Sequence, residues 1–361
     1  MKALIAMSGG VDSSVAAYLT QKEGYECIGC TMKLHDDPAV VKENSHTCCT
    51  LDDVEDARAV AFRLGMPYYV FNFKDGFREH VIDKFIYAYE HGLTPNPCID
   101  CNRFMKFDKL FERAQVLGCE KIVTGHYARI EKRGDRYALL KAPDENKDQS
   151  YVLYSLTQEM LSHVLLPVGD LTKQQTRALA EENGFINSNK PDSQDICFVP
   201  QGKYTDVIRE LTGRDYPKGD FVYTDGRVLG KHEGIIRYTR GQRKGLGIAF
   251  EEPLYVLRVD PATNNVYVGL EKDLYSDRLT AGDFIWTCGF VPEAGFKCKA
   301  KIRYRQKEQP CVCNPLPDGR VEVVFDEPLR AITPGQACVL YDGDEVLGGG
   351  TIEPDAPALS S

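Results

Sequence analysis

An apolar run from Lys2 to Met7 breaks into Ser8-Gly9-Gly10-Val11-Asp12-Ser13-Ser14 and resumes as a helical pattern, VAAYLTQKEG. A first strand that enters a helix through paired glycines predicts a parallel α/β sheet with the loop at the strands' carboxyl end, where such sheets bind ligands. The glycines allow positive φ and close backbone approach, and Ser13 and Ser14 begin a helix whose unpaired N–H groups and positive dipole end face the loop. The loop is therefore a predicted phosphate nest. It lacks the lysine of a Walker loop and the spacing of a dinucleotide fingerprint, which disfavours both.

The units that follow keep the strand and helix alternation of a doubly wound sheet: a strand over 25–33, a helix over 52–64, the strand PYYVFNF, helices over 77–89 and 107–117, and the strand KIVTGHYARI. Cys27 and Cys30 form a CxxC inside a strand, where side chains alternate faces, so core packing is expected rather than a metal pair. Gly125 and His126 end a strand on the side where the nucleotide is expected; His126 is either a ligand contact or a satisfied structural histidine.

At 361 residues and 43% hydrophobic composition, two or three domains are expected. No run of 18 apolar residues occurs and the opening segment turns to glycine early, so a cytosolic (cytoplasmic) protein without membrane spans is expected. Thirteen cysteines in such a chain point to metal, redox or nucleophilic roles instead of a disulfide framework. A net charge of -9 disfavours indiscriminate polyanion binding, so any RNA contact must come from local basic faces.

Two segments concentrate thiol chemistry. Thr94-Pro95-Asn96-Pro97-Cys98-Ile99-Asp100-Cys101 reads as a proline-rich loop, with Arg103 and Lys106 placed to favour a thiolate, and DSQDICF sets Cys197 in a polar turn. SGGVDS resembles the pyrophosphate loop of the N-type ATP pyrophosphatases. With TPNPCIDCNRFMKF, TGHYARI, KDQSYVLY, DSQDICF and GKHEGIIRYTRGQRKGLGI in this order, the chain resembles the tRNA-specific 2-thiouridylases over roughly residues 1 to 350. The resemblance implies an adenine nucleotide alpha hydrolase-like N-terminal domain that binds ATP with Mg²⁺ through Ala6, Met7, Ser8, Gly9, Gly10, Val11, Asp12, Ser13, Met32 and Gly125. Asp12 is expected near the metal, and Met32 either packs on adenine or is a core residue.

The same resemblance assigns Cys101 as nucleophile and Cys197 as the persulfide carrier, loaded by a persulfide carrier protein or desulfurase. The substrate is then a tRNA with a wobble uridine, whose C2 oxygen is adenylated and replaced by sulfur, either by direct persulfide attack or by hydrosulfide released by Cys101. A Cys101–Cys197 disulfide is one possible product. Cys98 departs from the family's usual acidic residue in this motif, which opens a second route: Cys98, Cys101 and Cys197 as ligands of a [4Fe-4S] cluster. Base contact is implied for Asn96, Pro97 and Cys98, and tRNA contact for Lys147, Asp148, Gln149, Arg303 and Tyr304.

Independently of the resemblance, every odd position from Lys297 to Lys307 is basic. At a period of two this predicts a strand with six cations on one face and Cys298, Ala300 and Ile302 inward, suited to a phosphate backbone. The expected domains are a catalytic domain at 1–201, a small central domain at 202–272 with a second basic cluster around Arg237 to Gly245, an antiparallel β-barrel at 273–354, and a tail at 355–361. Two rival readings remain open: an ATP-dependent amide ligase, which needs no cysteine, and an RNA-binding or iron–sulfur carrier that has lost catalysis.

Overall fold

The computed structural model describes residues 1–35, 51–192, 196–199 and 204–354. Ser193, Gln194 and Asp195 of the second cysteine motif, and the expected tail 355–361, lie outside the described residues.

The N-terminal sheet contains β1 (Lys2–Ala6), β2 (Glu26–Lys33), β3 (Tyr68–Asn72), β4 (Lys121–Val123) and β7 (Val164–Leu165), all parallel, in the order β3-β2-β1-β4-β7. Helices α1 (Val11–Lys22), α2 (Leu51–Arg63), α3 (Lys74–Phe77), α4 (Asp83–Glu90), α5 (Pro97–Asp100), α6 (Leu110–Val116), α7 (Gln158–His163) and α8 (Lys173–Glu182) belong to this half of the chain. Alternation along each strand divides the core between two faces. Ala3, Ile5 and Cys27 join Val11, Val15 and Ala57 on one side, whereas Leu4, Cys30 and Met32 join Phe77, Phe85 and Leu110 on the other. Cys27 and Cys30 thus face opposite ways, and burial pushes both thiols up, Cys27 to about 11.

The sequence-based strand KIVTGHYARI is two strands in different sheets. β4 stops at Val123; β5 (Ala128–Arg133) turns away and forms a hairpin with β6 (Arg136–Lys141). That hairpin extends the C-terminal sheet, because β6 pairs with β17 (Glu345–Ile352). A strand's sheet partner is a long-range property, which a local pattern does not specify.

The central segment comprises α9 (Tyr204–Thr212), β8 (Gly219–Tyr223), β9 (Val228–His232), β10 (Tyr255–Asp260) and β11 (Asn265–Gly269), in the sheet order β10-β11-β8-β9. Its Ile208, Phe221, Ile236 and Val256 share one hydrophobic core with Phe77, Phe85 and Phe198 of the first domain. The C-terminal strands β12 (Tyr275–Ile285), β13 (Phe296–Lys301), β14 (Gln309–Pro315), β15 (Val321–Arg330), β16 (Ala337–Asp342) and β17 follow the order β12-β15-β14-β13-β16-β17, and β12 pairs with β17 to close a six-stranded antiparallel barrel. No helix of the described residues is long and apolar enough to cross a membrane.

The predicted basic strand is shorter than its charge pattern. β13 ends at Lys301, and residues 302–308 form the connection to β14. Lys297, Lys299 and Lys301 therefore lie on the strand, while Arg303, Arg305 and Lys307 lie on the turn, so six cations do not share one strand face. Ile302 is buried and is followed by turn residues, a stop that a period of two cannot encode.

Candidate active site

The loop after β1 is built as the glycines require. Gly9 has φ of 76°, and a Cβ there would meet the Asp53 carbonyl oxygen at 2.4 Å. Gly10 is the extended N-cap of α1, and Ser13 Oγ accepts from the Ser8 N–H at 3.2 Å while donating to the Gly10 carbonyl. Asn187 Nδ2 donates to both the Gly9 carbonyl and Ser14 Oγ at 2.9 Å, fixing the turn from outside. The first-turn N–H groups of α1 have no intrahelical partner and face this loop, so the donor set fits phosphate. Met7 and Met32 are buried; Ala6 and Val11 complete the strand end and the helix start.

Gly125 has a packing reason to be glycine. Its Cβ would lie 2.6 Å from the Ser13 nitrogen and 2.7 Å from the Asp12 carbonyl carbon, so it seats the start of α1 on the end of β4. His126 is fully buried between Thr124 Oγ1 at 2.7 Å and the Lys106 ammonium at 3.3 Å. Burial, with Lys106 next, holds its pKa well below the ordinary histidine value. An ammonium only donates, so Nε2 accepts and Nδ1–H points at Thr124, which is a satisfied structural histidine.

Asp12 is the loop's carboxylate, and it is heavily engaged. Lys173 donates to its two oxygens at 2.7 and 2.8 Å, and the Tyr127 hydroxyl donates at 2.7 Å. Lys173 also reaches Asp192 at 2.7 Å, which in turn holds Lys147 at 2.7 Å and Arg177 at 3.1 Å. Although burial opposes its ionisation, Lys147 and Lys173 hold the Asp192 carboxyl below the ordinary carboxylate range. Lys173, Arg177 and Asn187 were absent from the sequence reading. Thr172-x-x-Gln175 is a capping box that starts α8, and Lys173 and Arg177 then stand four apart on one helix face, a signal that was available.

The cysteine segment is helical, not a loop. Asn96 is an N-cap whose side chain accepts from the Cys98 N–H, Pro97 stands at the first helical position, and α5 runs into a π-helical stretch, Cys101–Lys109, before α6. Proline loses nothing at that position because its missing N–H has no helical partner there. Cys98 is exposed, and Cys101 and Cys197 are half-buried against the same core, beside Phe104 and Ile196. Arg103 forms a bidentate pair with Asp283 of β12, and Asn102 donates to the Val152 carbonyl. Burial works against the Arg103 charge, but Asp283 more than offsets it and raises the guanidinium. Lys106 is committed to His126, so the two expected thiolate-stabilising cations serve other groups.

The barrel reaches the same place. Gln336 Nε2 donates to the Thr94 carbonyl, and Thr94 N–H to the Pro334 carbonyl. Arg303 is tied to the Ala331 carbonyl and Thr333 Oγ1, whereas the exposed Tyr304 ring lies 6.0 Å from Tyr151 and within electrostatic reach of Cys98. Asp148 is buried, accepting from Ala142 N–H, Ser150 N–H and Ser150 Oγ, and Gln149 accepts from Tyr127 N–H. Asp148 therefore organises its own turn, while Gln149 ties that turn to Tyr127 and Lys147 ties it to Asp192.

Family models match the three segments in order: a tRNA methyl transferase HUP domain over residues 1–201, a tRNA methyl transferase PRC-barrel domain over 206–270, and an aminomethyltransferase beta-barrel domain over 276–352. Proteins named tRNA-specific 2-thiouridylase MnmA are 48% identical in Clostridium botulinum, 51% in Acetivibrio thermocellus and 51% in Geotalea uraniireducens. Each alignment covers 98% of this chain, and 98%, 99% and 95% of the respective relative. The chain belongs to the tRNA-specific 2-thiouridylase family.

Among the described residues, no three His, Cys, Asp or Glu side chains converge as a metal site. A [4Fe-4S] cluster needs thiolates gathered around one centre. Cys98 is exposed in the first turn of α5.

Proposed function

We propose that this 2-thiouridylase family member uses ATP to activate the C2 oxygen of a wobble uridine in tRNA and replaces it with sulfur carried on Cys197. The observation that supports this best is the glycine-built loop at Ser8–Ser13, whose α1 first-turn N–H groups suit a phosphate, in a chain whose Cys101 and Cys197 pack against one common core.

Gly9, Gly10, Val11 and Ser13 hold the pyrophosphate part through backbone N–H groups and Ser8 through its hydroxyl, with Met7, Ala6 and Met32 at the strand ends toward the nucleoside. When bound, ATP supplies the adenylyl group that turns the C2 oxygen into the leaving group AMP, with pyrophosphate released. Asp12 is the carboxylate suited to the accompanying Mg²⁺, which competes with the Lys173 ammonium for it.

Cys197 receives a sulfur from a persulfide carrier protein or desulfurase, and the terminal sulfur bonds to C2 as AMP departs. The Cys101 thiolate then attacks Cys197 Sγ; that S–S bond breaks toward the nucleoside, leaving 2-thiouridine and a Cys101–Cys197 disulfide. A thiol reductant supplies two electrons to restore both thiols. Asn96, Pro97 and Cys98 line the base position at the helix start, and Arg303, Tyr304, Lys147 and the β13 lysines face the RNA.

Cys101→Ser and Cys197→Ser proteins should each lose 2-thiouridine formation by at least about a hundredfold while retaining tRNA-dependent exchange of pyrophosphate into ATP, because adenylation needs no thiol. Nucleoside analysis of the tRNA measures the first and labelled pyrophosphate the second. Undiminished thiolation by either variant refutes the role of that cysteine.

A further inference from the structure

Asn187 is 2% exposed, and both hydrogens of its amide are given to the phosphate loop, one to the Gly9 carbonyl and one to Ser14 Oγ, each at 2.9 Å. The opposite amide orientation would set Oδ1 against a carbonyl oxygen, so the partner itself decides which end is the nitrogen. Oδ1 is buried and has no hydrogen-bond partner among the described residues. An unmatched buried acceptor costs free energy. The side chain thus holds an orientation that serves the loop at the expense of its own oxygen.

A trans peptide points its carbonyl and its N–H to opposite sides. With the Gly9 carbonyl drawn to Asn187, the Gly10 N–H faces away from Asn187, and no acceptor among the described residues takes it. Ser14 extends the hold by one peptide, because its hydroxyl accepts from Asn187 and donates to the Gly10 carbonyl at 3.1 Å. The Gly9–Gly10 peptide needs such a hold more than its neighbours: glycine stands on both sides of it, so no Cβ opposes its turning over. The support behind Asn187 is firm. Arg177 donates to the carbonyls of Ser188 and Lys190, and the Lys190 ammonium reaches Asp53 at 2.7 Å, the residue whose backbone packs on Gly9.

We propose that Asn187 is a positioning residue that sets the direction of the Gly9–Gly10 peptide, and so decides whether the loop offers a pyrophosphate group an N–H donor or a carbonyl oxygen. The inference rests on the ATP reading given above and names the side chain that pre-organises its phosphate site. With Asn187 in place the Gly10 donor is aimed before the ligand arrives, and binding costs no rearrangement there. Without the amide the peptide is free to turn over. Its carbonyl dipole then opposes the phosphate, and a hydrogen bond of the stronger, charge-assisted kind is lost. A nucleoside monophosphate, which has no pyrophosphate group, does not call on this donor.

The test uses the full-length protein and two labelled ligands, an α,β-methylene ATP analogue with magnesium and AMP, each measured by equilibrium dialysis. Asn187→Leu keeps the volume without the donors. Asn187→Ser, too short to span to the Gly9 carbonyl, is the second variant should leucine not be accommodated, and circular dichroism establishes that each is folded at the assay temperature. The analogue should bind either variant about tenfold or more weakly than wild type, while AMP stays within about twofold. A merely structural role would weaken both ligands together or neither.

Unchanged analogue affinity in a folded variant, an equal loss of AMP, or failure of both variants to fold each overturns the proposal and leaves the ATP reading intact. A wild type to which either ligand fails to bind overturns the ATP reading, of which AMP is the product, and the proposal with it.

Discussion

Gly9 shows how one residue type is forced by its surroundings. Its φ of 76° and the 2.4 Å approach that a Cβ would make to the Asp53 backbone leave no room for a side chain. Gly9→Ala is expected to destabilise the protein by about 2 kcal/mol or more, read as a lower urea midpoint, and to abolish ATP binding, read by equilibrium dialysis. His126 gives a pH dependence. Its folded pKa lies below the unfolded value of about 6.5, so as pH falls through that range the unfolded chain takes up a proton that the folded chain refuses. Its contribution to stability therefore falls as pH drops below about 6.5. Urea melts at pH 7.5 and 5.5 should show a smaller acid loss in His126→Asn than in wild type.

Among the elements, α5 carries the clearest consequence. Asn96 Oδ1 satisfies the Cys98 N–H at the start of the helix that presents both cysteines. Asn96→Ala should cost about 1 kcal/mol of stability. Thermal melting measures that loss, and alkylation of Cys98 should quicken in the same variant as the first turn frays. This helix also shows what a sequence discloses. Two prolines suggested a loop, yet Asn-Pro is the residue pair expected at N-cap and first helical positions, so the signal was present and was outweighed by proline's reputation as a breaker. The phosphate loop was readable because its glycines, serines and flanking strand and helix are contiguous. The charges around Asp12 were not, because Lys173 and Asp192 are 161 and 180 residues away from it and meet it only through the fold. The end of β13 at Lys301 was equally hidden, since alternation continues in the letters beyond the point where pairing stops.

For the whole molecule, the decisive contact is between distant halves. Glu345 of β17 is buried and accepts from Arg133 at 2.7 Å and from Arg136, both on the β5–β6 hairpin of the catalytic half, and Lys141 of that hairpin pairs with Glu308 at 3.0 Å. Together with Arg103–Asp283, these pairs fasten the barrel to the N-terminal half of the chain. Glu345→Gln should lower the unfolding free energy by about 1–3 kcal/mol, because two guanidinium groups lose the carboxylate that satisfies them.

That hairpin also bears on how such a chain can be inherited. A closed barrel has no open edge and is the kind of unit that recombination moves between genes as a cassette. Here the wall of the barrel is continued by β5 and β6, encoded just over two hundred residues upstream of their first neighbour in β17. A crossover that delivered residues 276–352 alone would carry Glu345 without Arg133 and Arg136 and would leave β17 short of its partner strand. The hairpin and the barrel are thus physically interdependent, each satisfying groups that the other would leave without partners.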